Sequence, residues 1–188
     1  MAPLSWDAFL EAVKGGDAAH LTEDRLFDLA ARLRVDAALM APHVRFSREG
    51  YARNTLYRDA SFEAICLCWL PGQGTPVHNH GRSFGVVHVY EGVMGCAGFR
   101  RVDDGTRDGH AVLERATLSL AAPGSLLLDR VGSIHRLFNP PEAAGPCVSL
   151  HFYAGPLDWM EVFDPGRDAV EVRPMQGEPV GPGCVEEL

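Results

Sequence analysis

The chain predicts a mainly β fold, a sandwich or barrel of short antiparallel strands under a helical N-terminal cap. Two observations carry this. Up to about residue 42 the apolar residues recur at helical spacing, and beyond it they fall into short runs broken by Gly, Pro and Asp. Many short runs at roughly 8–12-residue intervals are the pattern of an all-β sandwich or barrel.

The helices are read first. Ser5 is an N-cap, followed by Trp6, Phe9, Leu10 and Val13 on one face, and Gly15-Gly16 ends the segment. Thr22 caps a second helix with Glu23 and Asp24 in its first turn, where carboxylates favour the positive end of the helix dipole. Leu26, Leu29, Ala30 and Leu33 form its buried stripe. A short third helix runs from about Val35 to Met40, before Pro42.

Strand-like runs follow at Phe62–Leu70, Phe84–Tyr90, Val93–Phe99, Ala111–Leu120, Ser125–Leu128 and Val148–Tyr153. Glu91-Gly92 and Asp103-Asp104-Gly105 read as hairpin turns. The expected organisation is one domain over 1–188: a helical cap (1–42), a β-barrel (43–164) and an irregular, Gly- and Pro-rich tail (165–188).

Composition excludes several function classes. A formal charge of −8 disfavours binding to a phosphate backbone, so no nucleic-acid partner is expected. No apolar run reaches membrane-spanning length, and MAPLSWDAF lacks the basic start and apolar core of a secretory signal. A cytoplasmic protein, a monomer or weak homo-oligomer, is expected. Five cysteines stand at 66, 68, 96, 147 and 184; Cys66-Leu-Cys68 lies in an apolar run without a matching second pair, so reduced, mostly buried thiols are expected.

The chemistry concentrates in three segments. Gly72-Gln-Gly-Thr-Pro-Val-His78-Asn-His80 places two imidazoles on one side of an extended strand, because side chains alternate with period two. Gly132-Ser-Ile-His135 adds a third, and neutral imidazole is the commonest side-chain ligand for divalent metals of this type. Ser149, His151 and Tyr153 share parity, so a hydroxyl–imidazole–phenol chain can line one face. Tyr51 and Arg53 also share parity, and an arginine turned into a small barrel demands an anion, best a carboxylate.

The first two segments resemble the two cupin motifs. Gly72, His78, His80 and Gly92 fall in register with the first, but its glutamate position holds Gly85; Gly124, Gly132, His135 and Asn139 match the second, with Arg130 in place of its proline. Cupins are jelly-roll barrels that hold a metal or ligand inside. Three His without the carboxylate is the pattern of thiol dioxygenases, and the chain resembles bacterial cysteine dioxygenase over most of its length. Tyr51-Ala-Arg53-Asn54, Cys68-Trp69 and Ser149-Leu-His151-Phe-Tyr153 support this.

The resemblance implies Fe(II) held by His78, His80 and His135, cysteine and O2 as substrates, and cysteine sulfinic acid as product. It further implies that Arg53, with Tyr51, binds the substrate carboxylate, and that Tyr153 is catalytic, oriented by His151 with Ser149 behind it. A coordinating cation also lowers a thiol's pKa. In the animal enzymes a cysteine near the position of Gly85 crosslinks to the tyrosine matching Tyr153; this chain lacks it. Asn79 replaces an aspartate common in the family, with no ligand role expected.

Two alternatives stand beside this reading. One is a dioxygenase of 3-mercaptopropionate, whose members typically carry glutamine at the Arg53 position. The other is a non-oxygenase metal-binding cupin, which usually retains the motif glutamate. His88 should face out of the barrel, His20, His43 and His110 the surface, Arg58 should be a solvated charge, and Trp69 a packing residue.

Overall fold

The computed structural model describes residues 2–15 and 21–175. Its elements are α1 (Trp6–Lys14), α2 (Glu23–Arg32), α3 (Ala37–Met40), β1 (Ala52–Arg58), β2 (Phe62–Trp69), β3 (Val77–Asn79), β4 (Phe84–Glu91), β5 (Met94–Arg101), β6 (Leu113–Ala121), β7 (Leu126–Asp129), β8 (Ile134–Phe138), β9 (Cys147–Ala154), β10 (Trp159–Asp164) and β11 (Ala169–Pro174). The strands form two antiparallel sheets, ordered β1-β2-β9-β4-β7 and β11-β10-β3-β8-β5-β6. This is the mainly β fold with N-terminal helices that the sequence predicts.

The caps act as expected. The Ser5, Thr22 and Asp36 side chains accept the backbone N–H groups of Ala8, Arg25 and Leu39, satisfying donors that a helix start leaves free. Phe9 and Val13 of α1 and Leu26, Leu29 and Ala30 of α2 are buried. They pack on Phe62, Ala64, Cys66, Cys68, Val86, Val148, Leu150 and Phe152, the outer face of the five-stranded sheet. A second apolar cluster, including Tyr51, Ile65, Leu67, Trp69, Val87, Val89, Leu137 and Tyr153, fills the space between the sheets. The helices are also tied to the barrel by charge. Glu23 accepts from the Arg130 guanidinium at 2.6 Å and from Val131 N–H at 3.1 Å, so the residue replacing the motif proline anchors the turn before β8.

Three expectations need correction. Residues 169–174, read as tail, form β11, because Ala169–Pro174 offers an extended backbone that completes the free edge of β10 in register from Trp159↔Pro174 to Asp164↔Ala169. Glu91-Gly92 is not a hairpin: β4 pairs with β7 and β9 while β5 pairs with β6 and β8, so this turn, with Gly92 at φ +76°, carries the chain from one sheet to the other. The Asp103–Gly105 segment does lie in the β5–β6 connection. β1, β3, β8 and β10 also escape the apolar-run reading, being short or rich in polar side chains. Gly16, His20, Cys184 and the tail beyond 175 lie outside the described residues.

Candidate metal centre and substrate pocket

His78 sits on β3 and His135 opposite it on β8, paired in register; His80 follows β3 by one residue with the parity of His78. All three are buried, and one ligating nitrogen from each lies within 4.8 Å of the others. A hydrogen bond fixes the tautomer of the first of them. His78 Nδ1 lies 3.0 Å from the carbonyl of Pro76, which can only accept, so Nδ1 carries the proton and Nε2 is a bare lone pair. His80 Nδ1 lies against the Asp129 carboxylate, an acceptor beside it. The two Nε2 atoms nevertheless stand 3.0 Å apart, and the buried His135 Nε2 has no partner. Three imidazole nitrogens converging this closely, with no donor aimed at the unpartnered His135 Nε2, fit a divalent cation, and imidazole donors suit iron, copper, nickel or zinc.

Burial holds each of these imidazoles neutral, with pKa lowered to about 3; mutual repulsion between His78 and His80 and the positive charge of Arg53 act in the same direction. Neutral imidazole is the form that ligates, so the site is ready for metal at ordinary pH.

Asp129 is the residue that sequence reasoning missed. Its buried carboxylate closes β7, touches His80 Nδ1 and stands 3.6 Å from His135 Nδ1. Burial raises its pKa to about 6, partly offset by His135. It stands behind two of the three imidazoles. The signal was present but faint: an acid beside Arg130, five positions after Gly124, at the end of an otherwise apolar strand.

Opposite the imidazoles, β9 presents Ser149, His151 and Tyr153 to the interior. Ser149 Oγ lies 2.8 Å from His151 Nε2, and His151 Nδ1 3.1 Å from the Tyr153 hydroxyl. Trp69, read as simple packing, donates its indole N–H to Ser149 Oγ at 3.0 Å. Indole can only donate, so the serine's own proton is free to go to His151 Nε2. With the serine donating, His151 carries its proton on Nδ1 and donates to Tyr153, whose O–H is left to point onward; with the serine accepting from both neighbours, the chain runs the other way. The Tyr153 ring reaches the centre, 4.9 Å from the His80 ring between centroids. Burial keeps the phenol protonated, its pKa well above the ordinary value, and holds His151 neutral.

Gly85 pairs with Tyr153 in register, and a Cβ there would fall 2.6 Å from the tyrosine ring. Here the glycine is a steric requirement. Arg53 extends from β1 opposite Leu67, and its charge is felt at His78, His80, His151 and Tyr153. Tyr51 is buried, stacked on Trp69 at 4.5 Å and beside the Arg53 guanidinium. Arg58 is exposed, as expected of a solvated charge, and also hydrogen-bonds the buried Glu63 at 3.0 Å. His88 shares the outward parity of Val86, toward the helices. His43 and His110 lie in loops and are partly buried. Asn79 turns away from the imidazoles, donating to Glu161 at 2.5 Å and accepting from Gly81 N–H.

A model of the family described as cysteine dioxygenase type I matches residues 15–166. Similar curated proteins are the cysteine dioxygenases type 1 of Homo sapiens, 27% identical over 130 residues, covering 69% of this chain and 63% of that protein, and of Rattus norvegicus, 25% identical over 125 residues, covering 66% and 60%. The matched stretch thus spans under two thirds of these relatives' length. Solved structures that match include an RmlC-like cupin protein from Desulfovibrio desulfuricans, 19% identical, covering 64% of this chain and 97% of its own, at a TM-score of 0.46.

Proposed function

The chain belongs to the cysteine dioxygenase type I family, and on that premise we propose that it oxidises L-cysteine with O2 to cysteine sulfinic acid, using Fe(II) held by His78, His80 and His135. The observation that carries this reading is the donor set: three convergent, buried imidazoles with Gly85 where a cupin carboxylate would stand. Iron, when bound, would supply a charge that acidifies the substrate thiol and a place to bring sulfur and dioxygen together.

The protein's own groups do the rest. Arg53 receives the substrate carboxylate on its planar fork, and Tyr51, locked against Trp69, limits where that fork can lie. Tyr153 donates its O–H toward the reacting sulfur and oxygen. His151 orients the phenol through Nδ1–H, and Ser149 and Trp69 hold the imidazole in that tautomer. The apolar wall of Leu67, Leu157 and Val87 excludes water around them. We read residues 1–188 as one domain acting in the cytoplasm on a small thiol, without nucleic-acid or membrane partners, as a monomer or weak homo-oligomer. Among the described residues, no helix is long and apolar enough to cross a membrane.

The second reading is 3-mercaptopropionate as substrate. Arg53 favours cysteine, since relatives with the other preference typically carry glutamine there. Oxygen uptake by the ferrous protein, compared between the two thiols, tests both. Faster turnover of 3-mercaptopropionate would reverse the assignment, and no uptake with either would favour a non-oxygenase cupin. Arg53→Ala should cost about 2–5 kcal/mol for cysteine, the range for breaking a buried charge pair, and leave cysteamine, which has no carboxylate, nearly unaffected.

A further inference from the structure

Arg53 and Arg58 have opposite sequence parity, so a regular strand would send one inward and one outward. A register shift in β1 between Thr55 and Tyr57 removes that constraint. Both guanidinium groups consequently approach one carboxylate, Glu63, which lies on the inward face of β2 in register with Arg58 on one side and Tyr153 on the other. Glu63 is buried.

Its oxygens are already engaged. Oε2 accepts the Leu157 N–H at 3.0 Å, and Oε1 accepts from Arg58 at 3.0 Å. Arg58 is held in turn by Asp158, at 2.5 Å. Arg53 stands 3.9 Å from the same Oε1, close enough for attraction but beyond a hydrogen bond. Its fork is therefore balanced in charge and not taken up by Glu63, with Tyr51 beside it. A carboxylate this close could instead accept that fork itself, and it would then occupy the group that the substrate needs.

We propose that Glu63 is a built-in competitor for Arg53 and that Arg58, by engaging Glu63, keeps Arg53 available to carboxylate-bearing thiols. Arg58 is then a positioning residue for selectivity, although it touches no substrate. The inference rests on the reading of Arg53 as the carboxylate site. It places the control of selectivity in the ion-pair geometry around that arginine.

The test is anaerobic titration of the ferrous protein with cysteine and with cysteamine, read as the ratio of the two affinities. Arg53→Ala comes first and should collapse the ratio; if it does not, the reading of Arg53 fails. Given that collapse, Arg58→Gln should lower the ratio roughly tenfold, the equivalent of about 1.4 kcal/mol. Adding Glu63→Gln to Arg58→Gln should restore it to within about twofold, because the competitor is gone. A general loosening of the loop carrying Leu157 and Asp158 would weaken both thiols together and would not be repaired by the second change. An unchanged ratio in Arg58→Gln, or a double variant as impaired as the single one, would overturn the proposal.

Discussion

Strand β9 has two faces, equally buried and chemically opposite. Val148, Leu150 and Phe152 meet the helical cap, while Ser149, His151 and Tyr153 turn to the interior, where the Tyr153 ring reaches His80. The outer face is held by apolar area alone; Phe152 packs against Phe9 at 5.0 Å and Phe62 at 6.4 Å. The inner face is a hydrogen-bonded chain in which every group has a partner, as burial of polar atoms requires. One backbone thus serves stability on one side and chemistry on the other. Substitutions on the two faces should separate cleanly into lost folding energy and lost turnover.

The most severe break should come at the imidazoles. His135→Ala removes one of the three proposed ligands, so most iron and nearly all activity should disappear, as measured by metal analysis and oxygen uptake. Full iron occupancy in that variant would sink the ligand assignment. On the outer face, Phe152→Ala should cost about 3–5 kcal/mol in denaturant unfolding, the usual price of emptying an aromatic site, while the folded fraction keeps its iron. Iron loss without destabilisation would contradict the division between the faces.

Its neighbour on the inner face should do the reverse. Tyr153→Phe should lower kcat by roughly ten- to a thousandfold, the scale of one acid–base or oxyanion group, with iron content and unfolding midpoint near the parent. An unchanged kcat would return Tyr153 to packing. Asp129→Asn keeps the shape behind His80 and His135 but removes the charge, and should weaken metal affinity by about 10–100-fold. Metal binding at parental strength would leave Asp129 without an orienting role.

The smallest expected effect is none at all. Gly85 carries no sulfur against the Tyr153 ring, so intact mass should be identical before and after turnover. A loss of two hydrogens mapping to a Tyr153 peptide would reveal a crosslink from another cysteine. The partly exposed Cys96, packed against the cluster between the sheets, would be the first to check.

Much of this was legible in the sequence because it is local. Helix caps, period-two parity on β9 and the His78–His80 pair depend on residues a few positions apart, and there backbone geometry alone decides which side chains share a face. The motif spacings carried the third histidine as well. Tertiary structure decided whatever depends on how distant strands meet. The Asp129 carboxylate gains its role only because β7 ends behind two imidazoles from other strands. Trp69 joins the Ser149–His151–Tyr153 chain only because β2 pairs with β9. β11 exists because β10 offers a free edge, and Arg58 reaches Glu63 because a register shift in β1 changes the parity on which a sequence reading relies. Period and spacing are properties of one segment of chain. Pairing register and the partner across a barrel belong to two, and no single segment encodes them.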